Sequence, residues 1–282
     1  MRGQSMKVTI LTENTVYRRG YLGEHGLSLW IEHENGKYLF DTGQSSVFCK
    51  NAQRRGIDLK SADGIILSHG HYDHCGGLLS WIKGSEKPPF GEVPVYISQE
   101  AFAPKYTGTA EKLREIGMGF LKEDYKINFR WTQPGKTEIS QDIYLVKGIT
   151  FDTAFEPKPE GFFYMTKDGE LAADDMKDEQ LLVIRTGQGL SVFAGCAHGG
   201  IINCLSAVRR EFPKEHIYSL IAGMHLKSCG IQRLNETLCA LEQSEIELLM
   251  PLHCTGIAEI GQMKARMGKR CVLGETGMQF TI

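Results

Sequence analysis

The sequence predicts a layered α/β protein with sheet packed between helices, and three observations predict it. Short apolar or alternating runs fill the first third of the chain. The last third alternates apolar runs with segments whose apolar residues fall at helical spacing. At 282 residues and 41% hydrophobic composition, the chain can bury a full core without disulfide or metal staples.

Taken in order, residues 8–11, 27–32 and 37–40 read as strands, the last two joined by a turn at Glu34-Asn35-Gly36. A short helix over Val47–Arg55 is ended by Gly56. Residues 64–67 form a continuous apolar run that suits a strand buried on both faces. A helix is expected to start at Gly76 and run to Lys83, and residues 93–97 read as a strand. Residues 99–140 carry Pro104, Pro134 and scattered aromatics (Phe102, Tyr106, Phe120, Tyr125, Phe129, Trp131). A helix over 110–116 is expected there, and the rest is read as an irregular insertion over the binding face, giving aromatic contacts to an extended substrate. Strand patterns resume at 143–146, 181–185 and 190–194. Ile201, Leu205, Val208 and Phe212 then mark a helix, followed by strand 218–222, helix 232–241, strand 246–251, helix Ile257–Met267 and a final strand at 272–273. The whole reads as one domain, 1–282, with an insertion near 99–140.

Lys and Arg number 32 against 34 Asp and Glu, a net charge of −2, which argues against a general nucleic-acid binder. No apolar run reaches the length of a membrane span, and residues 1–7 lack the apolar core of a signal sequence. A cytoplasmic address is therefore expected, with the eight cysteines as reduced thiols.

The strongest chemical signal is His69-Gly70-His71-Tyr72-Asp73-His74, directly after the buried strand. A chance occurrence is on the order of one in a thousand for this composition, so the pattern is specific. In extended backbone, side chains at i, i+2 and i+4 point the same way, so His69, His71 and Asp73 can converge. A turn at Cys75-Gly76-Gly77 would swing His74 beside them. Imidazole and carboxylate are ligands for zinc, iron or manganese. Asp73 could also cap the following helix, but capping does not explain three neighbouring histidines. His198, His225 and His253 also follow strands, and ligands of open α/β sheets bind at strand ends. Asp41, in Leu39-Phe40-Asp41-Thr42-Gly43, closes a strand with an acid, either as an Asx turn or as part of the same site.

These motifs, in this order, resemble the metallo-β-lactamase superfamily over residues 8 to 273. The resemblance implies an αββα sandwich, two mixed sheets flanked by helices, with two divalent metal ions between the sheets. Zinc is the first expectation, with iron or manganese as alternatives. Carried over by position, His69 and His71 would bind one metal, completed by His198, while Asp73, His74 and His253 would bind the other. Asp41 would orient a ligand without touching metal. Glu24-His25-Gly26, Gly195-Cys196-Ala197-His198, the stretch 223–226 and Leu252-His253-Cys254-Thr255-Gly256 look like the subgroup labelled 7,8-dihydropterin-6-methyl-4-(ribofuranosyl)aminobenzene-5′-phosphate synthase. That label implies pterin–phosphate chemistry. Glu24 and His25 are read as ligand-orienting residues or as ordinary turn residues. One departure stands out: Cys196 occupies the place where most members carry a metal-bridging Asp. It is read either as a thiolate ligand or as a small buried residue.

Two metals in such a frame would turn a shared water into hydroxide near neutral pH and polarise the attacked group. The expected activity is metal-dependent hydrolysis of a phosphorylated small molecule, a phosphoester or phosphodiester. Asp73 would hold a metal and steer the hydroxide, and His225, with or without Lys227, would stabilise the leaving oxygen or a substrate phosphate. Tyr72 is expected to flank the pocket. The alternatives are an iron-dependent oxidoreductase acting on oxygen, nitric oxide or a persulfide, and a binding module that kept the fold. Position 71 is His where flavin-linked diiron relatives have Glu, which disfavours the former. The intact His69–His74 cluster disfavours the latter.

Overall fold

The computed structural model describes residues 5–83, 91–109, 111–119 and 126–282. Two large mixed sheets lie face to face. The first has the order Gln279–Thr281, Lys7–Thr12, Ser28–His33, Gly36–Phe40, Gly64–Ile66, Val95–Ile97, Phe129–Trp131. Its first four strands are antiparallel, and from Gly36–Phe40 onward neighbours are parallel. The second has the order Leu248–Leu252, Ile217–Gly223, Gly189–Ala194, Gln180–Thr186, Ile143–Lys147, Gly135–Ser140. There the strands from Gly189–Ala194 to Leu248–Leu252 run parallel and the rest antiparallel.

Successive residues of a strand face opposite sides, and this period of two sorts the core into layers. Ile66, Phe193 and Ile221 fill the space between the sheets together with Ile10, Phe40 and Met250. Their immediate neighbours Ile65, Val192 and Leu220 point outward to helices. Helices α1 (Val47–Arg55) and α2 (Tyr72–Lys83) cover the first sheet, packing Phe48 and Leu78 against Leu39 and Ile65. Helices α3 (Ile201–Glu211), α4 (Ile231–Gln243) and α5 (Ile257–Met267) cover the second through Leu205, Leu238 and Met263. Both faces of each sheet are covered, which is why the central strands are apolar throughout rather than alternating. The result is the αββα sandwich.

Several expectations change. Helix α2 begins at Tyr72, not at Gly76. Gly76 and Gly77 are therefore helical, and it is the helix, not a turn, that carries Asp73 and His74 to the site. The reason for glycine is contact: a Cβ on Gly77 would lie 1.9 Å from the carbonyl oxygen of Thr42. Gly77→Ala is expected to push α2 off the Thr42–Ser45 loop and to cost about 1–3 kcal/mol or more. A denaturant midpoint equal to that of the wild type would contradict this close approach.

The helix expected over 110–116 is instead the strand Lys112–Glu115, paired antiparallel with Lys105–Thr109. Cross-strand pairing overrides the helical propensity of Lys-Leu-Arg-Glu. These two strands join Phe162–Met165 and Leu171–Ala173 in a third, four-stranded sheet. Among the described residues, the remainder of 99–140 is not all irregular either, since Phe129–Trp131 and Gly135–Ser140 edge the two large sheets. Phe102, Phe129 and Trp131 pack on one another, with ring centroids 5.2–5.8 Å apart, and Tyr106 lies in the third sheet. Phe120 and Tyr125 lie outside the described residues. The final strand is Gln279–Thr281, not 272–273: Cys271 makes one parallel bridge to Leu249, and the chain then crosses to pair with Lys7–Thr12 in the opposite sheet. Among the described residues no helix is long and apolar enough to cross a membrane.

Candidate metal centre

Six strands end at one rim of the sandwich: Lys7–Thr12 leads to Glu13 and Asn14, Gly36–Phe40 to Asp41, and Gly64–Ile66 to the His69–His74 cluster. Gly189–Ala194 leads to Cys196 and His198, Ile217–Gly223 to His225, and Leu248–Leu252 to His253 and Cys254. Asp41, Ala197, His225 and His253 have left-handed backbones, with φ between 44° and 56°. Such conformations cost of order 1–3 kcal/mol each and persist where surrounding structure enforces them.

His69, His71 and His198 form the first group. His69 Nε2 lies 3.0 Å from His71 Nδ1, which lies 3.1 Å from His198 Nε2. The tautomer of His69 follows from its neighbours. The single hydroxyl proton of Ser68 is donated to Asp41 Oδ2 (2.7 Å), so Ser68 Oγ accepts from His69 Nδ1 (2.9 Å). That leaves the lone pair of His69 Nε2 facing the other imidazoles. Burial, reinforced by the other histidines, holds the pKa of His69 well below its usual value, and burial together with Lys105 pushes His71 down to about 3. Both rings are thus neutral, as metal ligation requires.

Asp73 organises the second group. Its Oδ2 lies 3.2 Å from His25 Nε2, 3.2 Å from His253 Nε2 and 4.0 Å from His74 Nε2. Asn14 Oδ1 accepts from the Gly26 amide (3.2 Å) and from His253 Nδ1 (2.8 Å), so His253 Nε2 carries a lone pair. It is buried without a hydrogen-bond partner and faces a carboxylate oxygen. Two acceptors in that relation call for a cation between them. Burial works against the Asp73 carboxylate, yet the charge of His74, with the hydrogen bond from His25, holds its pKa well below the ordinary range. His25 is placed differently: Asn14 Nδ2 points at its Nδ1 (3.3 Å), which leaves the proton on Nε2 for Asp73 to accept. The geometry makes it a donor to Asp73 rather than a ligand.

His74 bridges the groups. Its Nδ1 donates to Asp41 Oδ2 (2.6 Å), and its Nε2 is 3.0 Å from Cys196 Sγ. Asp41 also accepts the Ser68 amide through Oδ1 (2.7 Å), so one fully buried carboxylate fixes both His74 and Ser68. The donor set of facing imidazole lone pairs, a carboxylate and a thiol fits divalent transition metals.

Other expected residues are not drawn in. Glu24 accepts the Gln44 and Ser45 amides (both 3.2 Å) and holds the loop under α2, with no contact to the histidines among those described. Lys227 is exposed, its Cβ beside Gly256, and does not accompany His225 into the site. Tyr72 opens α2, its amide donating to Ile116 (2.9 Å) and its ring half-buried.

Several supporting residues were not expected. Buried Glu179 accepts the His198 and Gly199 amides (2.7 and 2.9 Å), fixing the loop that carries His198, and burial pushes its pKa up to about 7. Glu13 accepts the His253 amide (3.0 Å). Asp178 accepts the Gly70 amide (2.8 Å) and pairs with buried Lys105 (2.9 Å), which also contacts Asp174. Phe162, from the third sheet, stacks on His71 at 5.8 Å and meets His198 edge-on at 5.0 Å. Glu13 and Asn14 follow a strand as the histidines do, a signal present in the sequence.

Comparison with known proteins agrees with this frame. The family model of the metallo-β-lactamase superfamily matches residues 22–200. A Methanocaldococcus jannaschii protein named 7,8-dihydropterin-6-methyl-4-(β-D-ribofuranosyl)-aminobenzene-5′-phosphate synthase is 32% identical, covering 89% of this chain and 88% of its own. An uncharacterized protein of the same organism is 29% identical, covering 91% and 93%. The crystal structure of Tm1679, described as a metal-dependent hydrolase of the β-lactamase superfamily, superposes with a TM-score of 0.84 at 31% identity, covering 98% of each chain. On this evidence the chain belongs to the metallo-β-lactamase superfamily, whose fold implies binding of divalent metal.

Proposed function

We propose that the chain is a hydrolase of a phosphorylated small molecule, dependent on two divalent ions with zinc as first choice. His69, His71 and His198 would hold one ion, and Asp73, His74 and His253 the other. The ions, when bound, supply an activated water and Lewis-acid polarisation of the attacked group. The observation that carries this reading is the opposition of acceptor to acceptor at His253 Nε2 and Asp73 Oδ2, beside the buried neutral imidazoles of His69 and His71. The protein's own contribution is orientation. Asp41 and Ser68 set the tautomers of His74 and His69, Asn14 sets that of His253, and His25 holds a proton on Nε2 against Asp73. Phe162 forms an apolar wall beside His71, suited to a flat ring, and the relative named for a pterin phosphate supports a substrate of that class.

Metal-loaded protein is expected to hydrolyse phosphomonoesters or phosphodiesters in a panel that also contains lactones and thioesters, with activity removed by chelation. Failure on every member would overturn the hydrolase reading. Two irons with a visible chromophore in the purified protein would favour oxidoreductase chemistry on the same ligands.

A pH dependence follows from His74. Burial works against its charged form, but Asp41 and Asp73 outweigh burial and raise its pKa to about 9 in the metal-free chain. The charged form stabilises that fold fully below the ordinary value of 6.5, and the contribution is lost as pH rises through about 9. Ligation by Nε2 must displace this proton. Apparent zinc affinity, read by competition with a chromophoric chelator, is therefore expected to rise about tenfold per pH unit between roughly pH 7 and 9. A flat profile would contradict His74 as a ligand.

A further inference from the structure

Two residues at the rim are left over once the histidine groups are assigned, His225 and Cys254, and with Cys196, whose Sγ is 3.0 Å from His74 Nε2, they make a further trio. They come from the ends of adjacent parallel strands, Gly189–Ala194, Ile217–Gly223 and Leu248–Leu252, which are in register at Ala194, Ala222 and Pro251. Their ligand atoms all lie within 4.8 Å of one another. The backbone holds them there. Cys254 Sγ accepts the His225 amide (3.3 Å) and lies 3.6 Å from the Cys196 carbonyl oxygen. Thr255 Oγ1 accepts the Met224 amide (3.1 Å) and donates to the Leu252 carbonyl (2.7 Å), tying the two loops together. A Cβ on Gly223 would stand 3.0 Å from Cys254 Sγ and 2.1 Å from the Gly195 carbonyl oxygen, so the middle strand leaves a notch that the sulfur occupies. His225 Nδ1 is buried without a hydrogen-bond partner, and its ring lies 4.4 Å from that of His198.

We propose that Cys196, His225 and Cys254 form a separate thiolate-rich metal position, contiguous with the histidine centre, in which Cys196 lies between the two. Two sulfurs and one imidazole are the donor set of a borderline or soft divalent ion, zinc or iron(II), and a poor one for magnesium or calcium. Three protein ligands leave a fourth position open in a tetrahedral site. This moves His225 from a contact for the leaving oxygen to a metal ligand. The proposal deepens the hydrolase reading by adding an ion beside the histidine centre, but the sulfur position is read independently of which bond is cleaved.

The test is cobalt(II) loading of the metal-free chain, followed by metal analysis and absorption spectroscopy. The wild type is expected to show a thiolate-to-cobalt charge-transfer band in the near ultraviolet. Cys254→Ser and His225→Gln should each bind one equivalent less and weaken that band, while the visible bands of cobalt on the histidines remain. His225→Gln leaves both sulfurs in place and keeps the test decisive if Cys254→Ser fails to fold. Stoichiometry and spectrum unchanged in both variants would overturn the proposal, as would a Cys196–Cys254 disulfide in freshly isolated protein. If His71→Ala alone left cobalt binding unchanged, the histidine-centre reading would fail instead, so the two failures are distinguishable.

Discussion

Asp73→Asn is expected to lower phosphoester hydrolysis by at least a hundredfold and to release one of the metal ions. Removing a residue that merely supports a ligand costs about 10–100-fold in affinity or activity, so losing a ligating carboxylate should cost no less. The substitution keeps the shape of the side chain, and the backbone role of Asp73, whose carbonyl accepts the Leu27 amide at 3.2 Å, does not depend on its charge. The fold should therefore survive. Turnover and metal content measured together on circular-dichroism-verified protein decide the matter. A variant with full activity would remove Asp73 from the chemistry, and one that loses activity but keeps all its metal would make it a positioning residue only.

Lys105→Met is expected to destabilise the chain by about 3–5 kcal/mol, because it strands the buried carboxylates of Asp178 and Asp174 without their cation. Lys105 is 2% exposed and Asp178 1%. Burial works against a charged Lys105, but the two aspartates outweigh it and raise its pKa, while Lys105 in turn holds Asp178 below its usual value. The contribution of Asp178 is thus present above the ordinary carboxylate pKa and lost as pH falls through the lowered one. In a chain of this size the loss corresponds to a melting temperature lower by roughly 5–15 °C. Because Asp178 also fixes the Gly70 amide between His69 and His71, zinc affinity should fall as well. Unchanged melting would show that the ion cluster is dispensable, and unchanged zinc affinity would separate it from the metal centre.

The parts of the site visible in the sequence are those whose residues are neighbours along the chain. His69 to His74 announce themselves because four candidate ligands lie within six positions. The supports do not, since Lys105 meets Asp178 across 73 positions and Glu13 reaches His253 across 240. An acid in Met176-Lys177-Asp178-Glu179-Gln180 reads as a solvated loop until the fold buries it. The apolar strands and the helices Val47–Arg55 and Ile257–Met267 follow from local patterning, and their bounds match it. The start of α2 does not, because Gly76-Gly77 reads as a turn when only local conformational preference is weighed. Their close approach to the Thr42–Ser45 loop is a tertiary fact. Lys112–Glu115 fails for a related reason: its pairing partner, not its own composition, decides its state. Position alone points His225 at a substrate oxygen, and its contact with Cys254 becomes visible only when three strands are laid side by side.

The central claim is that the histidine-rich rim is a metal centre, and the most direct measurement is elemental analysis of the chain purified without added metal, beside His71→Ala. The account predicts at least two equivalents of divalent transition metal in the wild type, zinc foremost, with a loss of about one equivalent in the variant. A folded wild-type chain that neither retains such metal nor takes it up on dialysis would contradict it.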